Sequence, residues 1–306
     1  MAHLVSDVCW GMIGAGDVCE RKSGPPLYQV PRSRLVAVHR RDRAAGQAFV
    51  ERHGHGRYYG DLATFLAAPE IDAVYVASPH ALHAEHTIAA LQAGKHVLVE
   101  KPMATKRSDC ERMIAAAQTA QRSLAVAYYR RGYPSIARLK TVIESGRLGT
   151  LRSASINSEF PTSHRVDLVQ FLFGAIQAVE REPDSDGGGY RLEQMAARIA
   201  LRTQSGVTVT LSERWTESGM PEALMVEGSV ARAYVADLKG GSIVVEQGSE
   251  QETIRCGTLR WTHWGLVENV VAHLLDGTAL LCSGADGLAS TAVLEQIDRA
   301  AATVDR

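Results

Sequence analysis

The sequence predicts an α/β protein: an N-terminal doubly wound parallel sheet, then a C-terminal α+β part with a largely antiparallel open sheet. Three features carry this expectation. Short, continuous apolar runs alternate with helical patterns as far as residue 127, as in parallel strands covered on both faces. A glycine turn, Gly14-Ala15-Gly16, joins the first apolar run to a helical stretch. After Tyr128 the runs alternate apolar with polar residues, as in Val207-Thr208-Val209-Thr210-Leu211, which suits an antiparallel sheet with one solvated or subunit-facing side. The expected division is residues 1–127 and 128–306.

Taken in order, residues 7–13 read as a strand, and a helix begins after Gly16. Arg34 to Val38 is a second strand, followed by a helix from Arg43 to His53 that Gly54 and Gly56 end. Ala73 to Ala77 (Ala-Val-Tyr-Val-Ala) is a buried strand, with a helix over 82–93 closed by Gly94. His96 to Val99, a helix over 108–120 and Leu124 to Ala127 complete the first part. Beyond it lies a helix over 134–145 that stops at Gly146. Strands are expected over 151–156, 196–202, 207–213, 223–227, 231–236 and 242–247, and helices over 265–275 and 287–303. The cluster Asp184-Ser185-Asp186-Gly187-Gly188-Gly189 reads as an exposed turn or loop.

The 306 residues suffice for a substantial core and roughly two domains. With 45% hydrophobic and 22% charged residues the composition is that of an ordinary globular chain, and a net charge of −1 gives no field to attract nucleic acid or anionic lipid. Neither is an expected partner. Five scattered cysteines (Cys9, Cys19, Cys110, Cys256, Cys282) without CxxC spacing read as reduced thiols, and the N-terminus has no signal-like pattern. No apolar run approaches the ~20 residues needed to span a bilayer. The expected location is cytoplasmic.

The glycine turn lets the backbone bend tightly and approach a pyrophosphate, whose charge then sits on N–H donors at the start of a helix. Gly14, Gly16, Asp17 and Val18 are the candidate contacts, and Cys19 stands at the third motif position. A plain tight turn is the alternative. The second strand ends Val38-His39-Arg40-Arg41-Asp42. An acidic residue near position 40 would serve the ribose hydroxyls of NAD. Arg40 and Arg41 suit a 2′-phosphate instead, so NADP(H) is expected over NAD(H), against the alternative of a solvated basic loop.

Val97-Leu98-Val99-Glu100-Lys101-Pro102 delivers a Glu-Lys pair to a strand end, where a lysine handles protons well when burial or positive neighbours loosen its proton. Ser78, Pro79, His80 and His83 follow the preceding strand, at the crevice where doubly wound sheets bind ligands. His80, His83 and His86 do not share one helix face, so no metal site is expected there. His164 and Asp167 open an amphipathic segment running to Gly174. The alternative for His164 is a solvent-facing residue at a helix N-terminus. Tyr128, Tyr129 and Arg130 follow the last strand of the first part and point either to the cleft or to domain packing, and Lys22 is a weaker candidate for phosphate or substrate.

Together, Gly14-Ala15-Gly16, Ala77-Ser78-Pro79-His80, His83, Glu100-Lys101-Pro102, His164-x-x-Asp167, Ala127-Tyr128-Tyr129-Arg130-Arg131, Gly146-Arg147-Leu148-Gly149 and Ser283-Gly284-Ala285-Asp286-Gly287 resemble the Gfo/Idh/MocA oxidoreductases over nearly the whole chain. The resemblance implies a Rossmann-type NAD(P)-binding domain followed by a substrate-binding and oligomerisation domain. It further implies hydride transfer between the nicotinamide and a sugar, cyclitol or related polyol or ketone. Lys101 would be the proton donor and acceptor, assisted by His164. Glu100, Ser78, Pro79, His80 and His83 would lie on the cofactor side, and Tyr129, His164 and Asp167 on the substrate side. A homodimer or homotetramer is implied as well. The chain departs from the family before His164: the usual glycine-rich loop is missing, and Phe160 stands where members carry an aspartate, with Glu159 beside it. That departure leaves a second reading, a catalytically impaired cofactor-binding sensor or partner-binding protein of the same fold. A third is reduction of a non-sugar carbonyl or double bond such as a cyclic imine or tetrapyrrole.

Overall fold

The computed structural model describes residues 7–158, 162–183, 197–212, 222–238 and 240–304. Two compact units emerge: Met1–Gly132 with Arg260–Thr291, and Tyr133–Leu259 with Ala292–Arg306. The chain thus returns to the first unit after building the second sheet, a return that a single division at 127/128 does not include.

In the first unit β1 (Val8–Ile13), β2 (Ser33–His39), β3 (Arg57–Tyr59), β4 (Ala73–Val76), β5 (His96–Val99) and β6 (Leu124–Val126) form a parallel sheet in the order β3-β2-β1-β4-β5-β6. This is the doubly wound order, with its switch point between β1 and β4. The neighbouring strands β4 and β5 are apolar on either face: all of β4 is buried, and Val97, Leu98 and Val99 on β5 are within 2% of complete burial. At roughly 1.5–3 kcal/mol for each such side chain, the β4–β5 pair anchors everything carried at its carboxyl end.

The helices start and stop where local chemistry requires. In α2 (Arg43–His53), Asp42 accepts from the Ala45 N–H at 3.0 Å and Gly54 closes the end at φ 68°. The helix expected after Gly16 is broken into a π turn at Cys19–Ser23 and a short α1 (Pro26–Gln29), because Pro25 and Pro26 cannot continue the first and Pro26 suits the start of the second. β3 and α3 (Leu62–Leu66) were not expected: both are too short to show a period. α4 (His83–Gln92) and α5 (Arg107–Ala120) follow β4 and β5. The returning segment brings α8 (Trp264–Asp276) and the first turns of α9 (Gly284–Val304), and Ser283 bridges Ala125 on β6.

In the second unit α6 (Pro134–Glu144) precedes β7 (Leu151–Asn157), and α7 (Thr162–Phe173) precedes β8 (Ile176–Pro183). β9 (Ala197–Thr203), β10 (Thr208–Ser212), β11 (Ala223–Gly228), β12 (Arg232–Val235), β13 (Ser242–Gln247) and β14 (Glu250–Arg255) complete a sheet ordered β14-β13-β12-β11-β7-β10-β9-β8. Only β7–β10 pairs in parallel among these described strands. Alternation does what it predicts: Ala154, Ile156, Val209, Leu211, Leu224 and Val226 are buried on one face, in register across β10, β7 and β11.

Two strands lay outside expectation, β8 and β14, and both are outermost in the sheet. Edge strands carry charge and lack alternation, as in Glu250-Gln251-Glu252-Thr253-Ile254-Arg255. α7 also differs from expectation. Instead of one apolar stripe it is buried nearly all round, from Ser163 through Val169 and at Leu172 and Phe173. The expected loop at Asp184–Gly189, and the positions Glu159 and Phe160, lie outside the described residues.

Candidate active site

The site of the first unit is built at the carboxyl ends of β1 and β4. Gly14 has φ +121°, and a Cβ there would meet the Ala77 carbonyl oxygen at 2.2 Å, so only glycine lets the β1 turn pass so close to β4. Gly16 is the opposite case, since a Cβ built there meets nothing within 4 Å. Its backbone faces open space, which is what a turn that approaches a pyrophosphate requires. A cleft of about 930 Å³ opens beside this turn.

Of the residues expected on the cofactor side, Gly14, Gly16, Arg40, Arg41, Ser78, Pro79 and His80 line the cleft. Asp17 and Val18 are exposed next to it, with Asp17 paired to Arg21 at 3.1 Å. Arg40 reaches over the glycine turn, donating from Nη1 to the Ala15 carbonyl at 2.6 Å, and Tyr58 donates to the Arg40 carbonyl at 3.1 Å. The only carboxylate in this stretch, Asp42, is engaged as the cap of α2. The cleft also includes His39, Leu82, Glu85 and His86, none of which was expected as a cofactor contact. His39 Nδ1 lies 3.0 Å from the Tyr59 carbonyl, and His86 Nδ1 lies 2.9 Å from Ser78 Oγ. Burial lowers the His86 pKa, reinforced by His39 and His83.

His83 does not line the cleft. It is fully buried beneath it, with its ring nitrogens 2.9 Å from the carbonyl oxygens of Pro102 and Ser78. It therefore packs between the turn after β4 and the turn after β5, with its one neutral-ring N–H able to donate to one of these two carbonyls, and is a brace rather than a contact. Burial lowers its pKa.

Glu100 and Lys101 directly follow β5. The Glu100 carboxylate is almost wholly buried, and three donors hold it: Tyr75 OH at 2.5 Å and His263 Nε2 at 2.9 Å, both on Oε1, and the Lys101 backbone N–H at 3.1 Å on Oε2. Burial alone would raise this carboxyl, but the hydrogen bonds and charge of His263, the Tyr75 hydroxyl and the Lys101 charge override it and bring it to about 2. Tyr75 is pushed well above its ordinary value by burial and by the adjacent carboxylate. Lys101 is half-buried, and its pKa is lowered by burial first and then by Lys22 and Arg130, against the opposing pull of Glu100. A lysine in this state gives up its proton more readily than one in water. Tyr129 is 9% exposed and packs against His263 with ring centroids 4.3 Å apart, while the Arg130 guanidinium lies 5.4 Å from the Tyr129 ring. Cys19 at the third motif position is fully buried, with its thiol pushed up to about 12 by burial and Glu100.

His263 had no signal in the sequence: it stands in Arg260-Trp261-Thr262-His263-Trp264, remote from Glu100 along the chain and outside any motif. His164 and Asp167 belong to the second unit, on consecutive turns of α7. His164 is 2% exposed and Asp167 1%, so the solvent-facing alternative for His164 does not hold. The neighbouring Arg165 donates to the Ser158 and Ser212 carbonyls at 3.0 and 3.2 Å, fixing the start of α7 to the ends of β7 and β10. Among the described residues no group of three or more His, Cys, Asp or Glu is arranged to hold a metal ion, and no helix is long and apolar enough to cross a membrane.

Residues 8–128 match the family described as "Oxidoreductase family, NAD-binding Rossmann fold", Gfo/Idh/MocA. Among curated relatives, Oxidoreductase P35 of Formosa agariphila is 31% identical over 61% of this chain and 57% of its own length. Inositol 2-dehydrogenase 2 of Saccharopolyspora erythraea is 32% identical over 65% of this chain and 64% of its own length. The chain spans about half the length of the curated relatives it matches. Among solved structures, an oxidoreductase from Agrobacterium radiobacter in complex with NAD+, L-tartaric acid and magnesium superposes with a TM-score of 0.84 at 20% identity, covering 97% of this chain and 96% of that one. The parallel sheet, the glycine turn at its switch point and the Glu-Lys-Pro motif after β5 agree with that match, and residues 8–128 form an NAD-binding Rossmann domain of the type that the Gfo/Idh/MocA oxidoreductase family describes.

Proposed function

We propose that this chain is an NADP(H)-dependent oxidoreductase that transfers hydride between the nicotinamide and a sugar, cyclitol or related polyol or ketone. The observation that carries the reading is Lys101: a half-buried lysine with a loosened proton, directly following β5 and braced through His83 to the turn that lines the cleft. The dinucleotide fits the residues present, since Gly16 leaves open space at the turn and the cleft has the volume of a cofactor site. When bound, the nicotinamide supplies the hydride acceptor or donor.

In the oxidising direction the neutral Lys101 amine takes the proton of the substrate hydroxyl as that carbon loses hydride. In the reducing direction the Lys101 ammonium returns a proton to the carbonyl oxygen. His164 assists this transfer, and Asp167 and Tyr129 orient substrate hydroxyls. Residues 1–127, with the segment 260–291 that returns to the same unit, form the cofactor domain in this reading, and the rest of 128–306 the substrate-binding and oligomerisation domain, assembling as a homodimer or homotetramer. The five free thiols support a cytoplasmic setting. A named relative acting on inositol supports a polyol substrate class.

The NADP(H) preference rests on Arg40 and Arg41, which line the cleft at the end of β2 beside Asp42, whose Oδ1 caps α2. Arg40→Asp is expected to weaken NADPH binding at least tenfold more than NADH binding; equal losses would contradict the preference. The sensor reading rests on the sequence before His164, where the usual glycine-rich loop is missing and Phe160 stands in place of an aspartate. Tight nucleotide binding with no turnover on any polyol or carbonyl would favour it.

A further inference from the structure

Glu100 is the most deeply placed carboxylate beside the proposed proton carrier, and its partners are unevenly distributed. Both hydrogen bonds to Oε1 come from side chains: Tyr75 on β4 and His263 on the segment that returns from the second unit. Oε2 receives the Lys101 backbone N–H. The carboxylate is thus satisfied by donors other than the Lys101 ammonium. His263 is 1% exposed, with Nδ1 2.9 Å from Thr262 Oγ1 and its ring face against Tyr129. A buried carboxylate is costly unless each oxygen has a donor, so an imidazole in this place has a specific electrostatic task.

We propose that His263 is a positioning residue for Lys101: by donating Nε2–H to Glu100 it fixes where the carboxylate points and how much of its charge is left for the neighbouring ammonium. The proposal deepens the oxidoreductase reading and rests on Lys101 being its proton carrier.

The remaining charged and titratable groups around the pair define the direction of the effect. Lys101 has Glu100 on one side, with Lys22 from the π turn and Arg130 from the segment after β6 as its positive neighbours. Glu100 also faces Tyr75 and the buried Cys19. With the His263 donor in place, the negative charge is shared with the Tyr75 hydroxyl and the His263 N–H. Without it, more of that charge acts on Lys101, which then holds its proton more tightly. Glu100 stays ionised throughout the range in which a lysine titrates, so the sign does not reverse.

The test is the pH dependence of Lys101 acetylation by acetic anhydride, read by peptide mass spectrometry on the full chain without substrate or nucleotide. His263→Asn, whose amide stops short of Oε1, is expected to move the Lys101 midpoint up by about one pH unit, a tenfold change in free amine at fixed pH. His263→Gln, which restores a donor near Nε2, is expected to stay close to wild type. In a Glu100→Gln background, His263→Asn should produce no shift. An unmoved midpoint in His263→Asn, or a shift that persists in Glu100→Gln, would overturn the proposal.

A measurement on the unaltered chain guards against a variant that does not fold. Nuclear magnetic resonance of 15N-histidine protein should show a strongly downfield His263 Nε2 proton that moves upfield in Glu100→Gln; its absence in wild type would equally overturn the proposal. Because neither readout uses turnover, a fully active Lys101→Ala protein would remove the oxidoreductase role of Lys101 while leaving these results standing, and the reverse also holds.

Discussion

Replacing Glu100 by Gln keeps the shape of the side chain but removes the charge that Tyr75, His263 and the Lys101 N–H hold in the interior. The Glu100 carboxyl lies at about 2 in the folded chain against an ordinary 4.5. Each unit of that difference corresponds to about 1.4 kcal/mol, so the ionised form contributes on the order of 3 kcal/mol at pH 7. The pKa is depressed on folding, so this stability is fully present above the ordinary value and is lost as pH falls towards the folded one. At pH 3 roughly 1 kcal/mol of it is left. Urea unfolding of wild type and Glu100→Gln between pH 3 and 7 checks this: the wild-type advantage should be largest at neutral pH and shrink by about two-thirds at pH 3. A constant difference across that range, or a variant as stable as wild type at pH 7, would refute the claim that the buried carboxylate is stabilised as an anion.

Other expectations concern the cleft and the lysine. Gly14→Ala should destabilise the fold by about 1–3 kcal/mol, because its φ of +121° and the 2.2 Å approach to the Ala77 carbonyl leave no place for a Cβ; thermal melting reads this. Gly16→Ala, where a Cβ meets nothing within 4 Å, should melt like wild type but bind NADPH at least tenfold more weakly, and unchanged affinity would contradict the close approach of a pyrophosphate to that turn. Oxidation of a polyol should rise with pH through a midpoint below 10.5, because burial and the Lys22 and Arg130 charges lower the Lys101 pKa, and reduction should fall over the same window. A midpoint at or above 10.5 would contradict Lys101 as the titrating group.

Legibility in the sequence followed burial. Val97-Leu98-Val99 and Ala73-Val74-Tyr75-Val76 lie in the sheet interior, so their continuous apolar character had one structural meaning, and the glycine turn was readable because the strand before it was. β8 and β14 were not readable, since edge strands need neither an apolar face nor alternation and here carry Glu, Gln and Arg instead. α7 shows a different failure: burial on nearly every side erases the stripe from which a helix face is inferred.

The site divides the same way. Gly14, Gly16, Lys101 and the Ser78-Pro79-His80 turn announce themselves because local motifs must be contiguous. His263 reaches Glu100 only through the chain's return at Arg260–Thr291, and nothing local in Thr262-His263-Trp264 encodes that partner. His83 was placed in the right neighbourhood by spacing, yet it braces two turns rather than facing the cleft, a distinction set by the direction of one side chain.

The measurement that tests hydride transfer through this site most directly is fluorescence titration of wild type and Lys101→Ala with NADPH and NADH, followed by turnover on polyols and their ketones. NADPH is expected to bind both proteins alike and more tightly than NADH, with turnover confined to wild type. Undiminished turnover in Lys101→Ala, or no binding of either nucleotide to wild type, would contradict it.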